Sequence, residues 1–259
     1  MTRVGCVPYL TAYPLVARSN LDVHYAVPTE LPPLLANREV AAILVSSIVG
    51  LRTPSARVVR GACVGSNGPG FSVRLFSKVP FAEIRSLALD QSSMTSNTLA
   101  QILLKELHRV SPDAQPEPPD LDAMLAKHDA AILIGDNGMR AEGSGLHVMD
   151  LGETWTNWTG LPFVWAMWLG GQDLTPEIAS HLIHAREEAL GNMEPIIAEA
   201  VDKFGFTDEV TRNYLTKTMT YDFDARHEAA LRVFGEFALA HGVINEMCMP
   251  EWVEGGLAV

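Results

Sequence analysis

Three features of the 259-residue sequence predict an α/β chain of two lobes with a helical C-terminal tail. Two wholly apolar runs of strand length, VAAILV at 40–45 and AAILI at 130–134, read as buried strands of an α/β sheet. A grammar of strand, polar turn, helix, strand and polar turn runs through the first 80 or so residues and again from about 86 to 169. After Gly170-Gly171 the pattern becomes helical only. This length suits one large domain or two intimate lobes. The expected split is 1–84 plus 170–259 for the first lobe and 85–169 for the second, with a ligand cleft between them and the tail covering the first.

Residues 3–7 read as a strand ended by Pro8, and a short helix is expected from Pro14. Residues 24–27 form the second expected strand. Thr29 or Glu30 then opens a helix packed through Leu31, Leu34 and Leu35. The buried strand 40–45 ends at Ser46-Ser47. Residues 57–63 and 71–77 read as strands, separated by the Gly/Pro-punctuated GSNGPG. Residues 87–90 form the strand before a long helix from Thr95 through His108, and SPDAQPEPPD follows as a Pro-rich loop. A helix at 121–127, the strand 130–134 and a strand at 164–169 complete the second lobe. Thr175-Pro176-Glu177 places a cap and a proline at a helix start. Helices are expected over 176–203, 208–217 and 225–241.

Composition limits the function classes. Apolar residues make up 47% and charged residues 19%, a foldable balance, and the net charge is −12. Only 19 Lys and Arg are present, too few for the basic face a nucleic-acid binder needs, and an anionic membrane surface is equally disfavoured. Cys6, Cys63 and Cys248 form no CxxC pair, so zinc and thiol-redox motifs are absent. The odd cysteine count, the missing signal-peptide pattern and the lack of a span-length apolar run make the expected location cytoplasmic. Oligomeric state is not readable. GSNGPG fits neither GxGxxG nor a P-loop, and His181 and His184 lack the HExxH pattern. No Ser-His-Asp set assembles.

Open α/β sheets bind ligands beyond the carboxyl ends of their strands, and clefts between domains do likewise. Both rules select four turns: TAY from Thr11, Ser46-Ser47, QSSMTSN after LALD, and Gly135-Asp136-Asn137. In the third, a helix starting at Thr95 or Ser96 offers free N–H groups and a partial positive charge. Capping needs one residue, yet this turn supplies Ser92, Ser93, Thr95, Ser96 and Asn97, which favours a carboxylate or phosphate site without a formal cation. Ser46 and Ser47 serve as caps or as ligand contacts. Asp136 caps, orients a ligand or acts as acid or base. Thr11 bonds its own turn or faces the site. Trp158 packs in the core with Trp155, Trp165 and Trp168, or walls a pocket.

VGCVPYLTAYPL, LALDQSSMTSNTLAQILL, AAILIGDNGMRA and DLGETWTNWTGLPFVWAMW resemble chorismate dehydratase of the futalosine route to menaquinone, in collinear order over the first 170 residues. LIGD and DLG…W…TGLPFV.A.W are the specific parts, and the tail is not diagnostic. The resemblance implies a periplasmic-binding-protein-like type II fold, two lobes around a central cleft, in a cytoplasmic enzyme. The implied reaction removes water from chorismate, a dianion, to give 3-[(1-carboxyvinyl)oxy]benzoate, with no metal or organic cofactor and with a substrate carboxylate as a candidate proton acceptor. The start of the helix at Thr95, Ser96 and Asn97 would hold one carboxylate, while Ser46 or Ser47 would meet the ring hydroxyl or the second carboxylate. Gly68-Pro69-Gly70-Phe71-Ser72-Val73 matches a family segment whose serine makes Ser72 a contact. The family reads YLN where this chain has Tyr9-Leu10-Thr11, so Thr11 brings a hydroxyl in place of an amide. A Glu common after the first-lobe serine turn is missing near Val49.

The expected site is therefore Thr11, Ser72 and Asp136 as catalytic groups. Tyr9, Ser46, Ser47, Ser93, Thr95, Ser96, Asn97, Gly135 and Trp158 are the expected substrate contacts, and no metal ligands are expected. Two alternatives stand beside this reading. One is the sister enzyme that forms 1,4-dihydroxy-6-naphthoate, which needs a cleft histidine that none of the four turns contains. The other is a non-catalytic binder of small anions. Hinges for lobe closure are expected near 78–85 and 169–172.

Overall fold

Two sheets organise the chain. The computed structural model describes residues 1–256. Its first part runs β1 (Thr2–Cys6), a 3-10 helix (Leu10–Leu15), β2 (Leu21–Tyr25), α1 (Leu31–Ala36), β3 (Ala42–Ser46), α2 (Ser47–Arg52) and β4 (Arg57–Ser66). The middle part runs β5 (Arg74–Ser77), β6 (Ser86–Asp90), α3 (Thr95–His108), β7 (Asp113–Glu117), α4 (Leu121–Lys127), β8 (Ala130–Leu133), α5 (Gly135–Arg140), β9 (His147–Asp150) and α6 (Leu151–Thr159). The last part runs β10 (Phe163–Gly170), α7 (Pro176–Gly191), α8 (Met193–Phe204), α9 (Asp208–Asn213), a π-helical turn (Tyr214–Thr218), β11 (Met219–Thr220), α10 (Ala225–Ala240) and β12 (Glu251–Val253).

The first sheet has the order β11-β4-β10-β3-β1-β2, with β12 also paired to β4. The second has the order β7-β6-β8-β5-β9. The buried run at 40–45 becomes β3, parallel to β1 and antiparallel to β10. Its side chains from Ala42 to Val45 are fully buried, as a strand covered on both faces requires. One apolar core runs through both sheets, from Val4 and Ile43 to Leu87, Leu103 and Ile132. The tail encloses the first sheet: α7 packs on β4, α7 and α8 cover the 3-10 helix, and α10 packs on β10 and reaches α3. No helix among the described residues is long and apolar enough to cross a membrane.

The crossings between sheets differ from the expected division at 84/85 and 169/170. β5 pairs with β8 and β9 in the second sheet, and β10 pairs with β3 and β4 in the first. The chain therefore crosses at 67–73 and returns at 160–162. The expected hinge segments 78–85 and 169–172 each join elements of a single sheet side. Alternation identifies a strand without naming its partner, so the sheet to which 71–77 and 164–169 belong was not readable.

Other differences have local causes. The Pro-rich segment after Arg109 holds β7, an edge strand, where Pro116 removes no central ladder bond. The single helix expected over 176–203 breaks at Asn192 (φ −150°, ψ 77°). Pro195 lacks an N–H and its ring opposes the Gly191 carbonyl, so it is accommodated only in the first turn of a new helix. α5, β9 and α6 occupy residues 135–159, where the sequence shows little periodicity, and β11 and β12 interrupt the helical tail.

The first crossing is held tightly. Asp150 caps α6, and its carboxylate accepts the N–H groups of Gly70 (2.8 Å), Phe71 (2.7 Å) and Glu153 (3.0 Å). Gly138 of α5 lies so close that a Cβ there would sit 2.0 Å from the Ser72 carbonyl oxygen. Gly138→Ala must displace backbone, so a loss of about 1–3 kcal/mol in chemical denaturation is expected. An unchanged unfolding midpoint would contradict this packing.

Candidate active site

The four turns named from sequence converge between the sheets. The 3-10 helix follows β1, α2 follows β3, α3 follows the turn after β6, and α5 follows β8, so four helical starts face one cleft. The space between these starts is about 610 Å³ when its open mouth is counted. Of the residues named from sequence, Tyr9, Thr11, Ser46, Ser72, Ser93, Thr95, Ser96 and Gly135 line it.

α3 supplies its strongest anion-binding feature. Fourteen residues long, it starts after Met94, a residue that cannot cap, and no side chain caps its first turn. Ser93, Thr95 and Ser96 are 7%, 2% and 5% exposed. The positive end of the helix dipole and its free N–H groups thus point into a shielded recess. Thr95 Oγ1 is occupied: it accepts the Ile48 N–H at 3.2 Å and lies 3.3 Å from Ser47 Oγ. Ser47 donates in turn to the Val164 carbonyl at 2.7 Å. Ser47 therefore stands behind the lining and locks α2 to α3 and β10.

Two further expected contacts, Asn97 and Trp158, and the expected catalytic group Asp136 also lie behind the lining. Asn97 donates to the carbonyls of Asp90 (2.9 Å) and Ser93 (2.6 Å) and so closes the QSSMTSN turn. Asp136 accepts the Leu10 N–H at 3.3 Å, tying α5 to the 3-10 helix, and burial raises its pKa against the opposing effects of Leu10 and Arg140. Trp158 packs edge-on to Trp155 and against Phe237. Its place is the aromatic core under α10, which corrects the pocket-wall reading.

Asp90 builds the turn from below. It is 1% exposed, and its Oδ1 accepts both the N–H (2.9 Å) and the hydroxyl (2.5 Å) of Ser92. Oδ2 accepts the Ile134 N–H at 3.3 Å. One carboxylate thus joins the serine turn after β6 to the end of β8. Burial raises its pKa, partly offset by these bonds. Tyr9 lies beside Gly135, whose φ of +56° is the left-handed conformation that glycine adopts without strain. Burial raises the Tyr9 phenol, the Ser92 hydroxyl opposes this, and Asp90 and Asp136 add to it.

Sequence reasoning missed the apolar wall of Leu44, Val64, Trp165, Ala166 and Met219. Strand-end apolar residues look like core in a sequence. Trp165 and Ala166 both line the cleft although adjacent, because the β10–β4 register shifts between Val164 and Ala166. Trp165 Nε1 donates to Ser66 Oγ at 3.1 Å, which fixes the indole plane. No His, Lys or Arg is among the lining residues. Among the described residues, no three His, Cys, Asp or Glu are grouped to hold a metal ion.

A model of the menaquinone biosynthesis family matches residues 2–240, and the chain belongs to that family. It is 29% identical over 256 residues to the chorismate dehydratase of Thermus thermophilus, spanning 90% of this chain and 93% of that protein. It is 29% identical over 161 residues to the chorismate dehydratase of Campylobacter jejuni, spanning 61% and 58%. Among solved structures, a protein from Archaeoglobus fulgidus aligns with a TM-score of 0.72 at 20% identity, over 93% of this chain and 98% of that one. The periplasmic aliphatic sulphonate binding protein SsuA of Escherichia coli aligns with a TM-score of 0.63 at 15% identity, over 100% and 95%. These structures establish the expected periplasmic-binding-protein-like fold.

Asp90 yields a pH test. Its proton is held more tightly in the folded chain than in the unfolded one. The resulting stability is present below the ordinary aspartate value of about 3.9 and is lost as pH rises through the raised value. Asp90→Asn removes that contribution along with one acceptor oxygen. The stability gap between wild type and variant, from urea melts, is expected to be widest near pH 4 and to narrow toward pH 7. A gap that widens with pH would contradict the burial argument.

Proposed function

We propose that this member of the menaquinone biosynthesis family is a chorismate dehydratase, a carbon–oxygen lyase acting without a cofactor. The observation that carries the reading is the buried, uncapped start of α3, facing a cleft that has hydroxyl donors, an aromatic wall and no cation. Chorismate is a ring with two carboxylates and one hydroxyl, and a cleft with an apolar wall, N–H groups and hydroxyl donors suits such a molecule. The chorismate dehydratase of Thermus thermophilus, aligned along nearly the whole chain, supports the same chemistry.

The α3 N–H groups with Ser93 and Ser96 hold one carboxylate by charge-assisted bonds. Leu44, Val64 and Trp165 lie against the ring. Ser46, Thr11 and Ser72 face the remaining oxygens from the first sheet and the crossing segment. The reaction breaks the ring C–O bond and a neighbouring ring C–H bond. The C–H electron pair becomes the new double bond of an aromatic ring, and hydroxide plus the released proton leave as water.

Aromatisation supplies the driving force, so the protein needs chiefly to orient the ring and stabilise the departing oxygen. The two nearby carboxyls are already engaged, Asp90 by Ser92 and Ile134 and Asp136 by Leu10. The proton acceptor in this reading is therefore a carboxylate of the substrate. The sister naphthoate-forming reaction is disfavoured because no histidine lines the cleft. Closure of the lobes over the substrate would bend the chain at 67–73 and 160–162.

Purified protein incubated with chorismate is expected to yield an aromatic product lighter by one water, detected by mass spectrometry. Binding without turnover would identify a non-catalytic binder instead, and the absence of both binding and turnover would refute the reading. Ser96→Ala removes one donor to a charged oxygen and is expected to raise KM about 10- to 100-fold. An unchanged KM would remove Ser96 from the site.

A further inference from the structure

The C-terminal segment sends one phenol to the edge of the cleft. α9 ends in the π-helical turn Tyr214–Thr218, where the Met219 N–H bonds to the Tyr214 carbonyl, five residues back. π-turns are rare and concentrate at functional sites. This one has two consequences for the cleft. Met219, the residue after it, lines the cleft and pairs with Ser66 of β4. Tyr214 is buried (2% exposed), and its hydroxyl donates to Ser72 Oγ at 2.8 Å, across 142 residues of sequence.

Ser72 is itself 3% exposed and lines the cleft. Its hydroxyl has one proton and two lone pairs. Tyr214 occupies an acceptor position, and the proton goes to the Gly70 carbonyl in a long 3.2 Å bond within its own turn. Thr11 Oγ1, the neighbouring cleft hydroxyl, is buried with no partner within hydrogen-bond geometry among the described residues; burial raises the pKa of the Tyr214 phenol, and the Ser72 and Thr11 hydroxyls beside it oppose this. Two hydroxyls at this corner are thus available to a ligand oxygen, and one of them is already polarised from behind.

We infer that Tyr214 is a positioning residue: its phenol fixes Ser72 Oγ so that the serine proton turns from the Gly70 carbonyl to the departing oxygen of the substrate. A hydroxyl that accepts one strong bond donates a stronger one. The phenol keeps its own proton throughout and does not touch substrate. The inference rests on the dehydratase reading for its catalytic consequence, but not for the Tyr214–Ser72 bond.

The test is a double-variant cycle of Tyr214→Phe, Ser72→Ala and the pair, assayed with chorismate. Phe keeps the ring packing and removes only the bond. Tyr214→Phe is expected to lower kcat about tenfold with KM within about threefold, as loss of one hydrogen bond implies. The pair is expected to be no slower than Ser72→Ala alone. Wild-type kcat in Tyr214→Phe, or losses that multiply in the pair, would overturn the inference.

A second readout needs no substrate. The Tyr214 hydroxyl proton is assigned by proton NMR through its loss in Tyr214→Phe, and it is expected to shift in Ser72→Ala. A resonance indifferent to Ser72→Ala would overturn the bond. A wild type inactive on chorismate, with the resonance behaving as expected, would refute the dehydratase reading and the catalytic role together while the bond stands.

Discussion

Thr95 Oγ1 is the joint on which the cleft depends. It accepts the Ile48 N–H in the first turn of α2 and lies against Ser47, whose own proton goes to β10. Two helices rooted in different sheets are thereby held start to start. A single buried hydroxyl consumes a donor of α2, leaves the first turn of α3 open, and sets the distance between Ser46 on one sheet and Ser96 on the other. The proposed anion site, with no Lys or Arg on its lining, relies on such placement, because N–H groups and hydroxyls act over short range and must be aimed.

The second constraint is the carboxylate beneath the serine turn. Asp90 uses both oxygens to hold Ser92 and Ile134, while Asn97 closes the same turn from above. Polar residues that looked like ligands from sequence thus separate into two groups. Ser93 and Ser96 face the cleft, whereas Asn97 and Ser47 give them their geometry together with Asp90 beneath. The same separation recurs at the first crossing, where Asp150 holds Gly70 and Phe71 and Tyr214 reaches Ser72.

Much of this was legible. The α3 boundaries, Thr95 to His108, followed from a polar turn before apolar residues at helical spacing, and α4 lies at the expected 121–127. The four turns that meet at the cleft followed from the rule that ligands sit beyond the ends of α/β strands. What was hidden depends on partners distant in sequence. Sheet membership of β5 and β10 is decided by pairing, not by pattern. The Trp165–Ala166 wall depends on a register shift against β4. Trp158 was weighed as a pocket wall because its neighbour Phe237, 79 positions onward, is invisible locally. Tyr214 sits in a tail with no diagnostic motif, and only the fold brings it to Ser72.

The measurement that bears most directly on the central claim is an amide NMR titration of the labelled protein with chorismate. The account predicts that the Thr95, Ser96 and Asn97 N–H resonances move downfield and saturate together, as donors to a bound carboxylate do. Saturable binding that leaves these three amides unmoved while others shift would contradict it, and would place the carboxylate somewhere other than the start of α3.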